Sequence, residues 1–418
     1  MASVQPALVV GAVRTPTGKK GGGLSKVHPA ILGKIVTEEV VKRAGVKASD
    51  IDESIIGCAT QTAQQGLNVG RIAVYLALGP DAPASTVNML CGSSAQAIRF
   101  AAAQVSSGEN DIVIAGGTEN NLMVFQGQDL MPCTQVSGGG VKALWQLLSG
   151  DLKGIFRKIM EGTKIVNRSL PKDYLLHPMG KSGDAIAKEY GFPRRLLDEV
   201  AFWSHMHAAD ATYEGHFKDE IVPVQTPGGI IEADEGIRAN TSLDALAKLK
   251  PSFGRDGLHT AGTSSQISAG AAALMIANED AVKKYNLKPI ARIVASAVVG
   301  TDPSLPEKQL IGPIDAIKKV LAKAKLNIDD IDLFELNEAF ASVLLATQKE
   351  LKIPAEKLNI SGGAIALGHA LGTSGARLPV TLLHNMQRRA QEGLPAKRGM
   401  SALCIGGGQA IATIYELV

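Results

Sequence analysis

Apolar positions along the chain alternate between short unbroken runs and stretches with helical spacing. Ala7 to Val13 is an apolar run of strand length. Val40 to Asp52 (VVKRAGVKASDID) reads as an amphipathic helix, a short loop and the start of a strand. Ala95 to Val105 has the apolar spacing of a helix, and Ile112 to Gly117 that of a buried strand entering glycines. The order strand, helix, strand predicts an α/β architecture with largely parallel sheets.

The pattern then repeats. Val320 to Asp332 (VLAKAKLNIDDID) aligns without gaps onto Val40 to Asp52 at an offset of 280, with identities at Val40/Val320, Ala44/Ala324, Asp50/Asp330, Ile51/Ile331 and Asp52/Asp332. The same offset carries Gly92-Ser-Ser94 onto Gly372-Thr-Ser374. A further slip of ten residues matches Ile112-Val-Ile-Ala-Gly-Gly117 to Ala402-Leu-Cys-Ile-Gly-Gly407. Shared offsets at distant places predict two related halves. The first half spans 1–122 and is completed by about 256–278, and the second spans 279–418. Residues 123–255 have no counterpart and read as inserted material. Within the insertion, Val141 to Val166 combines apolar residues near helical spacing with Lys142, Lys153, Arg157, Lys158 and Lys164. That pattern predicts a basic amphipathic helix, suited either to packing on its own protein or to docking on a partner subunit or an anionic membrane surface.

Composition narrows the function. With 43 basic and 40 acidic residues the net charge is +3, too balanced for nucleic-acid binding by bulk electrostatics. No apolar run reaches the roughly 18 residues of a membrane span. Glycine is enriched, at 45 of 418 residues, and points to tight turns and close backbone approaches. The four cysteines, Cys58, Cys91, Cys133 and Cys404, form no CxxC pair, so neither a zinc site nor a disulfide framework is expected. Neither a secretory signal nor a C-terminal Ser-Lys-Leu address is recognisable, which makes the cytoplasm the expected compartment.

Equivalent loops of duplicated α/β halves converge at the carboxyl ends of strands. Cys91 directly precedes a helix, where the positive end of the dipole favours a thiolate. Its repeat partner, Leu371, lies two residues after His369. One half therefore offers a thiol and the other an imidazole. Cys404 ends a strand that enters Gly406-Gly-Gly408, and Asn337 follows the repeated strand on the matching edge. Taken singly, each has an ordinary structural role: a small buried thiol, a packing histidine, a helix cap, a turn. Their joint occurrence in matching loops is what marks a site.

The motifs resemble those of the thiolase family along nearly the whole chain. The matching blocks are Arg14-Thr-Pro16, Asn88-Met-Leu-Cys-Gly-Ser-Ser94, Ala115-Gly-Gly-Thr-Glu119, Met179-Gly180, Glu220-Ile-Val-Pro-Val224, Asp234-Glu-Gly-Ile-Arg238 and Thr260-Ala-Gly-Thr-Ser-Ser265, then Asn337-Glu-Ala-Phe340, Gly362 to Arg377, and Cys404-Ile-Gly-Gly-Gly-Gln409. The resemblance implies a five-layered αβαβα core of two duplicated halves with an inserted loop domain, assembled as a homodimer or homotetramer. It also implies reversible cleavage of a 3-ketoacyl-CoA by CoA to acetyl-CoA and a shortened acyl-CoA. No further cofactor or metal is implied, coenzyme A being a substrate.

By the same resemblance, Cys91 is the acylated nucleophile, His369 activates it, and Cys404 moves the proton at the acetyl carbon. Asn337, through a water, and His369 form one oxyanion hole, and the amides of Cys91 and Gly406 form the second. Arg238 and Ser265 contact CoA, and Met179 lines the acyl pocket. Such chemistry needs two sets of oriented donors, because carbon–carbon cleavage beside a thioester develops enolate charge. It also needs a second acid/base for the departing carbanion.

Four positions depart from the family pattern: Ala370 where proline usually follows the histidine, Ala410, Ala269 and Thr263. A ketoacyl synthase on the same fold would pair the cysteine with two histidines, and a silent lipid carrier would not keep all four groups. Within the family the inserted loop, with Met179-Gly-Lys-Ser-Gly-Asp184, favours a degradative β-oxidation enzyme over a short-chain acetoacetyl-CoA enzyme running the condensation.

Overall fold

The computed structural model describes residues 4–124 and 177–418. The proposed docking stretch 141–166 and Cys133 lie outside them. In chain order, β1 (Leu8–Arg14), α1 (Pro29–Ala44), β2 (Glu53–Gly57), α2 (Val69–Leu78), β3 (Ala84–Val87), α3 (Ser93–Ser107) and β4 (Ile112–Asn120) come first. There follow α4 (Met179–Glu189), α5 (Arg194–Tyr213), a ribbon of β5 (Val224–Thr226) and β6 (Gly229–Ile231), and α6 (Leu243–Ala247). Next are β7 (Ala269–Ala277), α7 (Glu279–Tyr285), β8 (Ala291–Gly300), α8 (Pro313–Ala324), β9 (Leu333–Leu336) and α9 (Ala341–Leu351). The chain closes with α10 (Ala364–Leu367), α11 (Leu371–Gln391), β10 (Arg398–Ile405) and β11 (Gln409–Leu417).

The strands run in the order β3-β2-β4-β7-β1-β8-β11-β10-β9. Between β1 and β8 the ladder is only two pairs long, Leu8↔Arg292 and Val9↔Ala291, so the sheet divides there into two leaves. In each leaf two strands are parallel (β2–β4, β9–β10) and the next two are antiparallel (β4–β7–β1, β10–β11–β8). The parallel bridge Phe334↔Leu358 stands where β3 pairs with β2 in the first leaf.

Side-chain alternation builds the layers. On β7, Ala272, Leu274 and Ile276 face inward onto α3 and α11, while Ala271, Ala273 and Met275 face outward onto α1. On the second leaf, Met400, Ala402, Ala412 and Ile414 face outward onto α8. The central helices α3 and α11 thus lie between two leaves, and α1, α2, α8 and α9 cover the outside. This is the five-layered αβαβα core that the resemblance implies. Strands β4 and β7 are buried over all nine residues each, which is why they read as continuous apolar runs. Small residues there bring the layers close: a Cβ on Gly117 would sit 2.2 Å from Gly372 O on α11.

The repeated aspartates perform matching tasks. Asp50 accepts the amide of Lys47 at 2.9 Å, and Asp330 accepts that of Asn327 at 2.7 Å, each closing the turn after its helix. Asp52 then accepts the amides of Asp111 and Ile112, tying β2 to the start of β4. Asp332 accepts the amide of Arg398 and ties β9 to β10 in the same way. The strand match needs correction, however. Glu53 pairs with Val113 while Leu333 pairs with Gly399, which equates the strands after a slip of six residues rather than ten. Four of the six residues lengthen the C-terminal end of α11 relative to α3, and two lie in the loop before β10. Apolar strands of similar composition carry no marker of position, so their glycine tails match in sequence out of register.

Candidate active site

Cys91 sits on a strained turn between β3 and α3. Leu90 adopts a left-handed φ of +48°, which costs a non-glycine residue roughly 1–3 kcal/mol and needs outside support. Asn88 Oδ1 accepts the Leu90 amide at 2.8 Å. Ser93 Oγ accepts the Met89 amide at 2.9 Å and donates to Leu90 O at 2.6 Å. The turn is therefore pinned from both sides, with Cys91 half-buried at its exit. Burial pushes the Cys91 thiol up to about 11; the Gly406 N–H facing it pulls back, and Glu119 pushes further. At neutral pH the group is a thiol that needs a base.

The second half supplies one. His369 is buried in the loop before α11, and its Nδ1 lies 2.7 Å from Ser374 Oγ. That hydroxyl donates its proton to Ala370 O at 3.0 Å, so it accepts from Nδ1–H and leaves Nε2 bare. Burial, and secondarily the charge of Arg377, pushes the imidazole down to about 3. His369 is thus a neutral base. Asn337 Nδ2 lies 3.5 Å from Nε2, and the Asn337 amide is held by Ala402 O of β10. Asn337 Oδ1 is buried and has no partner among the described residues.

Cys404 ends the same strand and is buried against Ile186 of α4 and Phe340. Burial raises its pKa far above the ordinary thiol range, and the proximity of Cys91 adds to the effect. Two residues on, Gly406 lies so that a Cβ there would be 3.2 Å from Leu90 and 3.7 Å from Met179 Sδ. Leu90, Gly406 and Met179 therefore adjoin beside the Cys91 turn. Gln309, fully buried, fixes the start of α4 through the backbone of His177, Ser182 Oγ and Met179 Sδ.

The rim is stitched by one extended segment. The Ser265 amide bonds to Ala339 O, and the His369 amide to Gln266 O. Gln266 Nε2 donates to Gly236 O, Ile365 O and Ala366 O, connecting this segment to the loop that ends in exposed Arg238. Sequence reasoning missed Ser374, Gln266 and Gln309. Ser374 had a signal, since it lies in the repeated Gly-x-Ser; the two glutamines had none. The four departures fit the structure around the candidate groups. Ala370 holds the φ of −76° that a proline would have, Ala410 packs against Gly312, buried Ala269 pairs with Asn120, and Thr263 Oγ1 caps the 260–263 turn. Among the described residues no cluster of His, Cys, Asp and Glu could hold a metal ion.

A two-halved, five-layered α/β core that carries one thiol near a second thiol, and a neutral imidazole beside an amide, has the groups of a cysteine-dependent acyl-transfer enzyme. The chain belongs to the thiolase family: residues 7–280 match the thiolase N-terminal domain and residues 287–417 the thiolase C-terminal domain. It is an acyltransferase. A probable acetyl-CoA acyltransferase of Staphylococcus aureus (strain COL) is 40% identical over 416 residues, 98% of each chain. The 3-ketoacyl-CoA thiolase of Bacillus subtilis (strain 168) is 39% identical over 430 residues, covering 99% of this chain and 100% of its own. Two solved structures superpose over 100% of both chains with TM-scores of 0.84: the Bacillus anthracis acetyl-CoA acetyltransferase at 34% identity and human mitochondrial 3-ketoacyl-CoA thiolase at 33%.

Proposed function

We propose that this thiolase works in the degradative direction, cleaving a 3-ketoacyl-CoA with CoA to acetyl-CoA and a shortened acyl-CoA. The observation that carries the reading is a pair of arrangements: the Cys91 turn set against the Gly406 N–H with Cys404 close by, and a neutral His369 whose Nε2 lies 3.5 Å from Asn337 Nδ2. His369 Nε2 takes the Cys91 proton, and the thiolate attacks the 3-keto carbon. The carbon–carbon bond then breaks, its electrons pass into the acetyl thioester enolate, and Cys404 protonates that carbon. CoA, deprotonated in turn, attacks the acyl-Cys91 thioester and releases the shortened acyl-CoA. The Gly406 and Cys91 amides receive the tetrahedral oxyanion. His369 and the unpaired Asn337 Oδ1 stand where the enolate oxygen and its water would be held. Arg238 and Ser265 on the rim contact CoA, and Met179 beside Gly406 lines the acyl pocket.

The names of the relatives support both this direction and a short-chain condensation, since one solved neighbour is an acetyl-CoA acetyltransferase and another a 3-ketoacyl-CoA thiolase. A thiolysis panel with purified protein, from acetoacetyl-CoA to long-chain 3-ketoacyl-CoA, decides between them. Cys91→Ala should abolish turnover throughout the panel, and acetyl-CoA should place one acetyl group on Cys91. An acetyl group found on Cys404 or Cys133 would refute the assignment.

The same reading divides the chain into an N-terminal half, an insertion and a C-terminal half, and makes it a homodimer or homotetramer. Strand β3 at the sheet edge supports this, with Leu67 94% exposed and Ile72, Tyr75, Leu76 and Phe100 exposed around it. No helix of the described residues is long and apolar enough to cross a membrane. A reducing, cytoplasmic setting suits a thiol nucleophile, and Cys58, Cys91 and Cys404 are all free.

A further inference from the structure

Glu119, at the end of β4, is a fully buried carboxylate that the reaction itself does not use. Five N–H groups converge on it. Oε2 accepts the amides of Ala59 at 2.6 Å and Gly372 at 3.0 Å. Oε1 accepts the Thr60 amide at 3.1 Å, Gln65 Nε2 at 2.7 Å and Asn121 Nδ2 at 3.2 Å. Both side-chain amides are fixed with nitrogen toward Glu119, because Gln65 Oε1 accepts the Asn120 amide and Asn121 Oδ1 the Leu371 amide. Every one of the five is a donor. Burial pushes the Glu119 carboxyl up, and the Ala59, Thr60 and Gly372 amides with the Gln65 side chain pull it back toward the ionised form; the Cys58 thiol also bonds to it.

The two bonds on Oε2 lead to the two reacting residues. On one side, Ala59 O accepts Asn88 Nδ2, and Asn88 Oδ1 holds the amide of Leu90, the strained residue that presents Cys91. On the other, Gly372 is the second residue of α11, between His369 and its partner Ser374. Helix α11 has no side-chain cap of its own and no acid in its first turn. Glu119 and Asn121 supply both from the opposite half of the molecule. One oxygen therefore spans the seam between the duplicated halves.

We propose that Glu119 is a positioning residue that holds the Cys91 turn and the His369 helix in register across the two halves. The assignment rests on reading Cys91 and His369 as the catalytic pair. It also explains why a buried negative charge is kept near a nucleophile: the charge favours the thiol, so that the nucleophile forms when His369 takes the proton. The titratable groups that act on Cys91 are Glu119 and Cys404, and Cys58 in turn bonds to Glu119.

Glu119→Gln is the direct test, since no orientation of a glutamine offers oxygen to all five donors. The full-length variant, checked for folding by circular dichroism, should lose on the order of 100-fold in kcat for acetoacetyl-CoA thiolysis. That is the effect of about 1 Å of misplacement between reacting groups. KM should stay within about threefold of wild type, a margin small beside that loss. The midpoint pH for alkylation of Cys91 by iodoacetamide should fall, because the negative charge is gone. A folded variant with wild-type kcat, or with an unmoved alkylation midpoint, would overturn the proposal. If Glu119→Gln does not fold, Asn121→Ala decides: a tenfold fall in kcat at constant KM supports the coupling, and wild-type kcat refutes it. Cys91→Ser and His369→Asn run alongside. Turnover surviving in either one removes the catalytic reading itself. Their inactivity beside an active Glu119→Gln removes only the coupling.

Discussion

His369 shows how a single residue acquires its function from what surrounds it. Its Nδ1 is committed to Ser374, and burial together with Arg377 holds the ring neutral, with a pKa pushed down to about 3. An unfolded histidine titrates near 6.5, so between about 3 and 6.5 the unfolded chain binds one more proton than the folded one. The contribution of this group to stability is complete above pH 6.5 and is lost as the pH falls toward 3. Glu335, pushed up to about 8 by burial, acts in the opposite sense: its contribution is complete below 4.5 and is lost as the pH rises through 8. His369→Asn isolates the first effect. The melting temperature of wild type relative to this variant should rise between pH 4 and pH 6.5 and level off above it. A difference independent of pH across that window, measured by differential scanning calorimetry, would show that the ring is charged in the folded protein. In the proposed mechanism Cys404 differs in role from Cys91 although it shares its chemistry. Cys404→Ser should keep the acylation burst on Cys91 and lose on the order of 10²–10⁴-fold in steady-state turnover, the usual cost of removing a positioned acid/base. A burst as weak as turnover, in rapid-quench experiments with acyl-CoA, would contradict that division of labour.

At the scale of elements, the start of α11 carries the largest share of the site's geometry. The loop before it holds His369, its first turn holds Ser374, and its cap comes from β4. Ala370 occupies the capping position with φ −76°, inside the range a proline ring enforces, and its amide makes no hydrogen bond among the described residues. Ala370→Pro should therefore fit. It should stabilise the protein by about 0.4–1 kcal/mol through the entropy of the unfolded chain, with activity retained. A lower midpoint in urea would mean that the loop uses a conformation proline cannot adopt. The matching position before α3 is occupied by the left-handed Leu90 and half-buried Cys91. The two halves have thus specialised the same loop, one for a strained thiol and one for a capped imidazole.

At the scale of the whole molecule, β3 is an edge strand of the sheet among the described residues. Leu67, Tyr75 and Phe100 stand out of the protein beside it. Phe100 also lines a cavity of about 500 Å³ along Ile55, Ser85 and Val87. Tyr75→Glu combined with Phe100→Glu should convert the proposed homodimer or homotetramer to a monomer, read by light scattering behind size-exclusion chromatography. An unchanged mass would place the oligomer interface elsewhere. Much of this molecule was legible in one dimension. The duplicated Asp50/Asp330 and Asp52/Asp332 revealed the two halves because each pair ties the same turn to the same neighbouring strand, a local task that needs the same residue twice. Cys91, His369, Asn337 and Cys404 were legible as candidates because glycine-rich turns and helix starts leave residue-type signatures. The register of the second half was not, since a longer α11 and a longer loop after it together shift β10 by six residues, and uniform apolar strands do not record the shift. Nor was the link between the halves. Glu119 and Gly372 are 253 residues apart, and only the packing of β4 against α11 makes one the cap of the other. Local chemistry chose the residues, whereas their distances, tautomers and charge states came from burial between layers that no stretch of sequence contains alone.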